Sequence, residues 1–278
     1  MAQGDGARGR VALALSGGAA RTIAHVGVLK VLEREGIGLR AIAGTSGGAL
    51  IAVLTAAGYP ILDLEREARE IGWQRIIDFK PHLLGILSTE KLGEFVRRRI
   101  GDLRFEDLRI PCAVVATDIT MQSKKVFRSG PVVIAVEASC AIPEFYRPVE
   151  WEGHILVDGG VVEPLPIDTL LDLCGPDTCP VLAVSVNRKA RHPKPPKHAL
   201  QLLGQISQVI QLELVRQASS KASVFLEPDM APFHFFDLDN ADRLIAAGER
   251  AMNKRLPDLL QAIDRAECEA GSGESGAS

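Results

Sequence analysis

Apolar positions along the chain alternate between two spacings. The run at 10–15, RVALAL, is apolar almost without interruption, which predicts a strand buried on both faces. Ser16-Gly17-Gly18 breaks the run, and residues 23–35 take up helical spacing. Ile23, Val26, Val28, Leu29 and Leu32 form the apolar face, Lys30, Glu33 and Arg34 are left for solvent, and Gly36 is the stop. The same succession repeats at once, with an apolar entry at 41–43, a turn at 44–48 and a helix at 49–57. Residues 61–101 read as amphipathic helices and loops, with Ser88 or Thr89 capping the helix that ends in Arg97-Arg98-Arg99. Paired strands follow at 110–120 and 124–127, then a buried helix at 131–141 and a hairpin at 146–157 around Glu152-Gly153. A further β run at 180–186, a long helix at 200–220, a short strand at 224–226 and a last helix from about residue 240 complete the pattern. Strands separated by helices predict an α/β fold with a mostly parallel central sheet and helices on both faces.

One stretch admits a second reading. No charged residue occurs from 41 to 62, a length that could span a membrane. Gly44, Gly47 and Gly48 interrupt it and Gly58-Tyr59-Pro60 ends it, which favours a strand, a tight turn and a helix, all buried. No linker divides the chain, so residues 10–268 are expected to form a single domain, with its motifs in 11–171 and a completing part in 172–268. Residues 1–9 and 269–278 are rich in Gly, Ser and Ala and are expected to be disordered.

Composition narrows the function classes. With 46% hydrophobic and 24% charged residues and a net charge of −3, the chain is globular in type and has no basic excess to recruit nucleic acid. The five cysteines, Cys112, Cys140, Cys174, Cys179 and Cys268, are odd in number and form no C-x-x-C pair. They predict free thiols in a reducing compartment rather than a disulfide framework or a zinc site. The opening MAQGDGARGR has no apolar segment of the secretory kind, so a cytoplasmic protein is expected. No His, Asp and Cys cluster has ligand spacing, and neither a metal nor a cofactor is expected.

Three features can carry chemistry. Gly44-Thr45-Ser46-Gly47-Gly48 fits G-x-S-x-G between a strand and a helix, where a nucleophile is forced out of the sheet and small neighbours admit an acyl group. The helix start beyond it favours developing negative charge. A serine needs a base, but none of His25, His82, His154, His192, His198 and His234 has a flanking pattern that marks it. His25 follows the first turn, where packing or a supporting hydrogen bond is expected. Asp158 closes the apolar run His154-Ile155-Leu156-Val157 and precedes Gly159-Gly160, so its carboxylate would project from a strand end; once desolvated, it can accept a serine proton. Ser16-Gly17-Gly18-Ala19-Ala20-Arg21 leaves several backbone N–H groups at a helix start, able to bind an oxyanion or a phosphate. It lacks the Gly-Lys-Ser/Thr ending of a nucleotide binder, and Arg21 could hold the loop or meet an anionic head group. Taken singly, each has a plain reading: a Gly-Ser turn, an Asp-Gly hairpin and a glycine-rich helix start.

In their order, the three stretches LSGGAARTIAHVGVLKVLEREGI, GTSGG and DGG resemble the patatin-like phospholipase family. Ala138-Ser139-Cys140-Ala141-Ile142-Pro143 is similar to that family's helix end before its aspartate, and residues 244–252 to its closing helix, so the likeness spans about 11–255. The resemblance implies a three-layer α/β/α fold and a serine esterase that hydrolyses lipid esters without a cofactor. It also implies a catalytic dyad of Ser46 and Asp158, and an oxyanion hole around Gly17, Gly18 and Ala19, with Arg21, Gly44, Gly48, Gly159 and Gly160 in support. Ala19 and Thr22 stand where the family's G-G-G-x-R-G loop has glycine, and a Cβ at positive φ costs on the order of 1 kcal/mol. Acyl transfer to an acceptor other than water, and a non-catalytic lipid- or phosphate-binding protein, are the alternatives. A lipid enzyme would touch a membrane surface transiently, and Trp73, Ile76, Ile77 and Phe79 are candidates for that contact or for the core. The oligomeric state is left open.

Overall fold

A computed structural model describes residues 8–70, 78–82, 84–143, 145–175, 179–187, 195–233 and 237–274, with backbone alone at 81–82 and 269–274. In chain order the elements are β1 (Arg10–Leu15), α1 (Ala24–Arg34), β2 (Gly38–Thr45), α2 (Gly47–Ala56), α3 (Ile61–Glu70), β3 (Asp78–His82), β4 (Gly85–Ser88), α4 (Glu90–Ile100), β5 (Cys112–Asp118) and β6 (Ser123–Phe127). Then come α5 (Val132–Ser139), β7 (Val149–Trp151), β8 (His154–Asp158), α6 (Ile167–Cys174), β9 (Val181–Val184), α7 (Ala199–Ser219), β10 (Val224–Leu226) and α8 (Ala241–Glu274).

Five strands run parallel in the order β10-β9-β1-β2-β5, and the antiparallel strands β6, β8 and β7 extend the sheet from β5. The fold class is the expected one, and alternation along the strands explains the layers. Val11, Leu13, Leu15, Ile42, Val114 and Leu182 point to one face and pack with α1, α2, α5 and α8. Ala12, Ala14, Ala41, Ala43, Ala113 and Ala183 pave the other, where Ile167 and Leu170 of α6 and Val215 of α7 close over them. Burying each large aliphatic side chain contributes roughly 1.5–3 kcal/mol, so the wider-chained face carries most of the hydrophobic stabilisation. The small face lets α6 approach closely. On the first face α1 and α8 cross with backbones touching: a Cβ on Gly27 would lie 2.0 Å from Ile245 O, and one on Gly248 1.9 Å from Ala24 O.

The uncharged stretch 41–62 is strand, elbow and helix, and among the described residues no helix is long and apolar enough to cross a membrane. Three boundaries differ from those the pattern predicts. The second strand begins at Gly38 rather than 41, because it pairs with β1 from Arg10 onward. The β3–β4 hairpin lies inside 61–101, where helices and loops were expected; its residues are short of the alternation that marks strands. The last helix continues to Glu274, into the stretch whose composition predicts disorder.

Candidate active site

Strand β5 sets the geometry. Its Val115 pairs with Thr45 of β2 on one edge and with Val126 of β6 on the other; its Ala116 pairs with Asp158 of β8 and with Lys125 of β6. Because β6 occupies one edge throughout, β2 and β8 share the opposite edge end to end. One leaves at Val115 as the other arrives at Ala116. Ser46, the next residue after Thr45, and Asp158, the last of β8, are thereby brought together from positions more than a hundred residues apart.

At the elbow Ser46 has φ 55° and ψ −131°, outside the allowed basins of an L-residue, and sits at the N-terminus of α2. Tight packing around it enforces this conformation. A Cβ on Gly44 would fall 2.4 Å from Gly48 O, and one on Gly48 2.5 Å from both Leu15 O and Ser16 O, so β1, β2 and α2 meet backbone to backbone. The Ser46 N–H donates to Ser139 Oγ (2.8 Å), whose own hydroxyl donates to Val115 O (2.6 Å). Thr45 Oγ1 donates to Glu163 O (2.8 Å), which ties the elbow to the segment after Asp158.

Asp158 is buried. Its backbone N–H donates to Ala141 O (2.9 Å), its carbonyl accepts from Thr117 Oγ1 (2.8 Å), and its Oδ1 accepts the Gly160 N–H (2.6 Å). Oδ2 is buried with no hydrogen-bond partner. Burial pushes the carboxyl from 3.8 up to about 6, while the neighbouring Ser46 hydroxyl and the Gly160 N–H act in the opposite direction. The Ser46 hydroxyl is thus near enough to act on the carboxyl, yet leaves Oδ2 unbonded in the resting arrangement. Gly159 is required by contact: a Cβ there would lie 2.2 Å from Val115 O. The Cys140 thiol also neighbours this pair, and burial together with the Asp158 charge holds it well above the usual thiol range.

The loop after β1 abuts the serine: a Cβ on Gly17 would stand 3.0 Å from Ser46 Cβ and 3.7 Å from its Oγ. Of the amides expected to face an oxyanion, that of Gly17 is already committed, donating to Pro164 O (3.2 Å). Those of Gly18 and Ala19, and that of Gly47 beyond the serine, have no acceptor among the described residues. The two departures from the family loop differ in kind. Ala19 has φ 48°, in the left-handed region, and carries the strain a Cβ implies there. Thr22 lies within the 3-10 turn Ala19–Ile23 and needs no positive φ; its hydroxyl donates to Ala19 O (2.6 Å) and fixes the strained residue. Arg21 is buried beneath the loop.

Ser46, Gly47 and Ala19 open onto an apolar cavity of about 130 Å³. It follows α2 past Leu50 and Leu54, between Leu64, Leu92 and Phe95. Leu54 lies two turns, about 12 Å, from the serine. Beyond it Glu67 pairs with Arg99 (2.6 Å) and accepts from Tyr59 Oη (3.5 Å), so the far end is polar. The elements can therefore place a nucleophilic oxygen, a desolvated carboxylate and free amides around one point, beside a channel suited to a hydrocarbon chain.

None of the described histidines hydrogen-bonds to Ser46. His25 is fully buried and its Nε2 donates to Ser16 O (2.9 Å); burial lowers its pKa to about 4, so it is a neutral support for the loop. His154 meets Asp118 (2.6 Å), and His198 caps α7. His192, His234, Trp73, Ile76 and Ile77 lie outside the described residues, the His82 side chain is likewise outside them, and Phe79 is exposed. Ser139 was missed as a site residue. Its signal is the six-residue stretch 138–143: Ser139 holds the serine's amide, Cys140 lines the cavity and the Ala141 carbonyl holds the aspartate's amide.

Comparison with known proteins bears on the family and the fold. An uncharacterized NTE family protein of Mycobacterium bovis is 37% identical over 181 residues, covering 64% of this chain and 49% of its own length. This chain thus spans about half the length of that relative. The neuropathy target esterase sws of Drosophila melanogaster is 30% identical across 59% of this chain and 12% of its own. Patatin-like phospholipase domain-containing protein 6 of Mus musculus is 32% identical across 57% and 12%. Among solved structures, VipD from Legionella pneumophila superposes with a TM-score of 0.57 at 13% identity, covering 91% of this chain and 67% of that one, a likeness of fold. The model of the family described as patatin-like phospholipase matches residues 13–171, from β1 through the Asp-Gly-Gly turn into α6, and the chain therefore belongs to that family.

Proposed function

We propose that this chain is a serine acyl-hydrolase that cleaves carboxylic ester bonds of lipids through Ser46 and Asp158. The observation that carries the reading is the meeting of a strained serine, which lines an apolar channel, with a buried carboxylate whose Oδ2 is unbonded. The relatives named as an esterase and as a phospholipase domain protein point to the same bond class.

With its pKa raised to about 6, Asp158 is ionised at neutral pH yet basic enough to take a proton. Ser46 Oγ attacks the ester carbonyl as its proton passes to Asp158 Oδ2. The resulting oxyanion is met by the amides of Gly18, Ala19 and Gly47, assisted by the N-terminus of α2. Collapse expels the alcohol, which takes the proton from Asp158, and leaves the acyl group on Ser46. Asp158 then removes a proton from water, which attacks the acyl-enzyme; the acid departs and Ser46 recovers its proton. The channel along α2 would hold the acyl chain, and no cofactor takes part.

The test is release of free fatty acid from a lysophospholipid in micelles. Wild type should liberate acid and Ser46→Ala should not. Equal release by both proteins, or none from a folded wild type across phospholipid, lysophospholipid and glycerol esters, contradicts the reading.

A further inference from the structure

Helix α7 is built inside out. At 100° per residue, Leu202, Leu203, Ile206, Val209 and Ile210 fall within one arc of about 120°, and all five are 46–65% exposed. The opposite arc, which holds Gly204, Ser207 and Gln211, is half-buried against the protein. Of the whole helix only Val215 is a buried residue. A surface helix ordinarily turns its apolar stripe to the core, so an outward stripe requires a covering partner.

Three observations specify that partner. First, the helix adjoins the site: a Cβ on Gly160 would lie 3.4 Å from Gln211 Nε2, two residues from Asp158. Second, no charge occurs from Ala199 to Leu212, roughly 20 Å of helix, too short to cross a bilayer but suited to lying in its surface. Third, the sequence leading into it carries Arg188, Lys189, Arg191, Lys194 and Lys197 and no acid, and Lys197 is exposed at the helix start. Cations carried in the sequence directly ahead of an uncharged apolar face match an anionic lipid surface, with head groups for the former and acyl chains for the latter. A second copy offers no acid within 188–212 to answer those cations.

We infer that the outward face of α7 docks the protein on an anionic phospholipid surface, setting the Asp158 turn against the layer that supplies substrate. This rests on the lipid-ester reading for its purpose, but its test is independent of catalysis.

Ser46→Ala protein is cosedimented with phosphatidylcholine vesicles with and without phosphatidylserine. Binding should appear with phosphatidylserine and weaken about tenfold or more without it or at high salt. The pair Ile206→Gln and Val209→Gln should lower binding to the anionic vesicles about tenfold or more, with unchanged thermal unfolding. In the Ser46 background the same pair should leave hydrolysis of a soluble short-chain ester unaltered. No binding to anionic vesicles, equal binding by the double variant, or a lipid-free dimer that these substitutions dissociate would overturn the inference. Loss of soluble-ester activity by wild type would overturn the catalytic reading alone.

Discussion

Replacing Asp158 by Asn should abolish turnover and at the same time stabilise the protein, by an amount the burial of the carboxyl sets. Desolvation raises its pKa from 3.8 to about 6, a shift of about two units, or about 3 kcal/mol at 1.36 kcal/mol per unit. The sign follows from where each state titrates. Between about pH 4 and pH 6 the folded protein keeps a proton that the unfolded chain has lost, so stability falls as pH rises through that window and is level above it. Asn cannot ionise, its carbonyl can still accept the Gly160 N–H, and its amide can face the Ser46 hydroxyl. Asp158→Asn should therefore gain about 3 kcal/mol at pH 8, on the order of 6–12 °C in Tm, and nothing at pH 3. Turnover should fall about 10²–10⁴-fold if, as proposed, one group serves as base in both steps. Calorimetric scans of the two proteins at pH 3, 5 and 8, with ester hydrolysis at pH 8, read both effects. A variant no more stable than wild type at pH 8 would refute the desolvated carboxylate, and an active one would refute the base.

Ser139→Ala leaves the Ser46 N–H buried without its acceptor (2.8 Å) and should destabilise by about 1–3 kcal/mol while lowering kcat more than it raises KM, read by melting and steady-state kinetics. Ala19→Gly removes the Cβ from a residue at φ 48° and should raise stability by about 0.5–1 kcal/mol with activity retained; a lower Tm would show that the loop is not strained there. Leu50→Trp, one turn from the serine and lining the channel, should depress kcat/KM for long-chain esters at least about tenfold more than for acetyl esters, as a chain-length series of chromogenic esters reports.

Much of this was readable in the chain. Strands alternating with helices gave the layers, because a run such as VALAL can be satisfied only with cover on both faces. The serine and aspartate were marked by their glycine neighbours: an added Cβ would fall 2.2–2.5 Å from backbone oxygen at Gly44, Gly48 and Gly159, so no larger residue serves there. The meeting of the two residues was not readable, since it depends on β8 continuing the edge that β2 leaves at Val115, a register no local pattern encodes. Ser139 was hidden for a similar reason: a serine in an apolar helix looks neutral until its partners are seen. Gly17 shows the reverse limit, since composition could propose its amide for an oxyanion but could not foresee its bond to Pro164. The face of α7 is legible as amphipathic, yet only burial reveals that its stripe points outward.

The central claim is that Ser46 is an activated nucleophile. Intact-mass analysis after treatment with a fluorophosphonate measures this directly, because the reagent phosphonylates only a serine whose hydroxyl is deprotonated as it attacks. A single adduct that maps to Ser46, is absent from Ser46→Ala and forms far more slowly in Asp158→Asn is the predicted result. An unmodified folded wild type, or an adduct that persists when Ser46 is replaced, would contradict it.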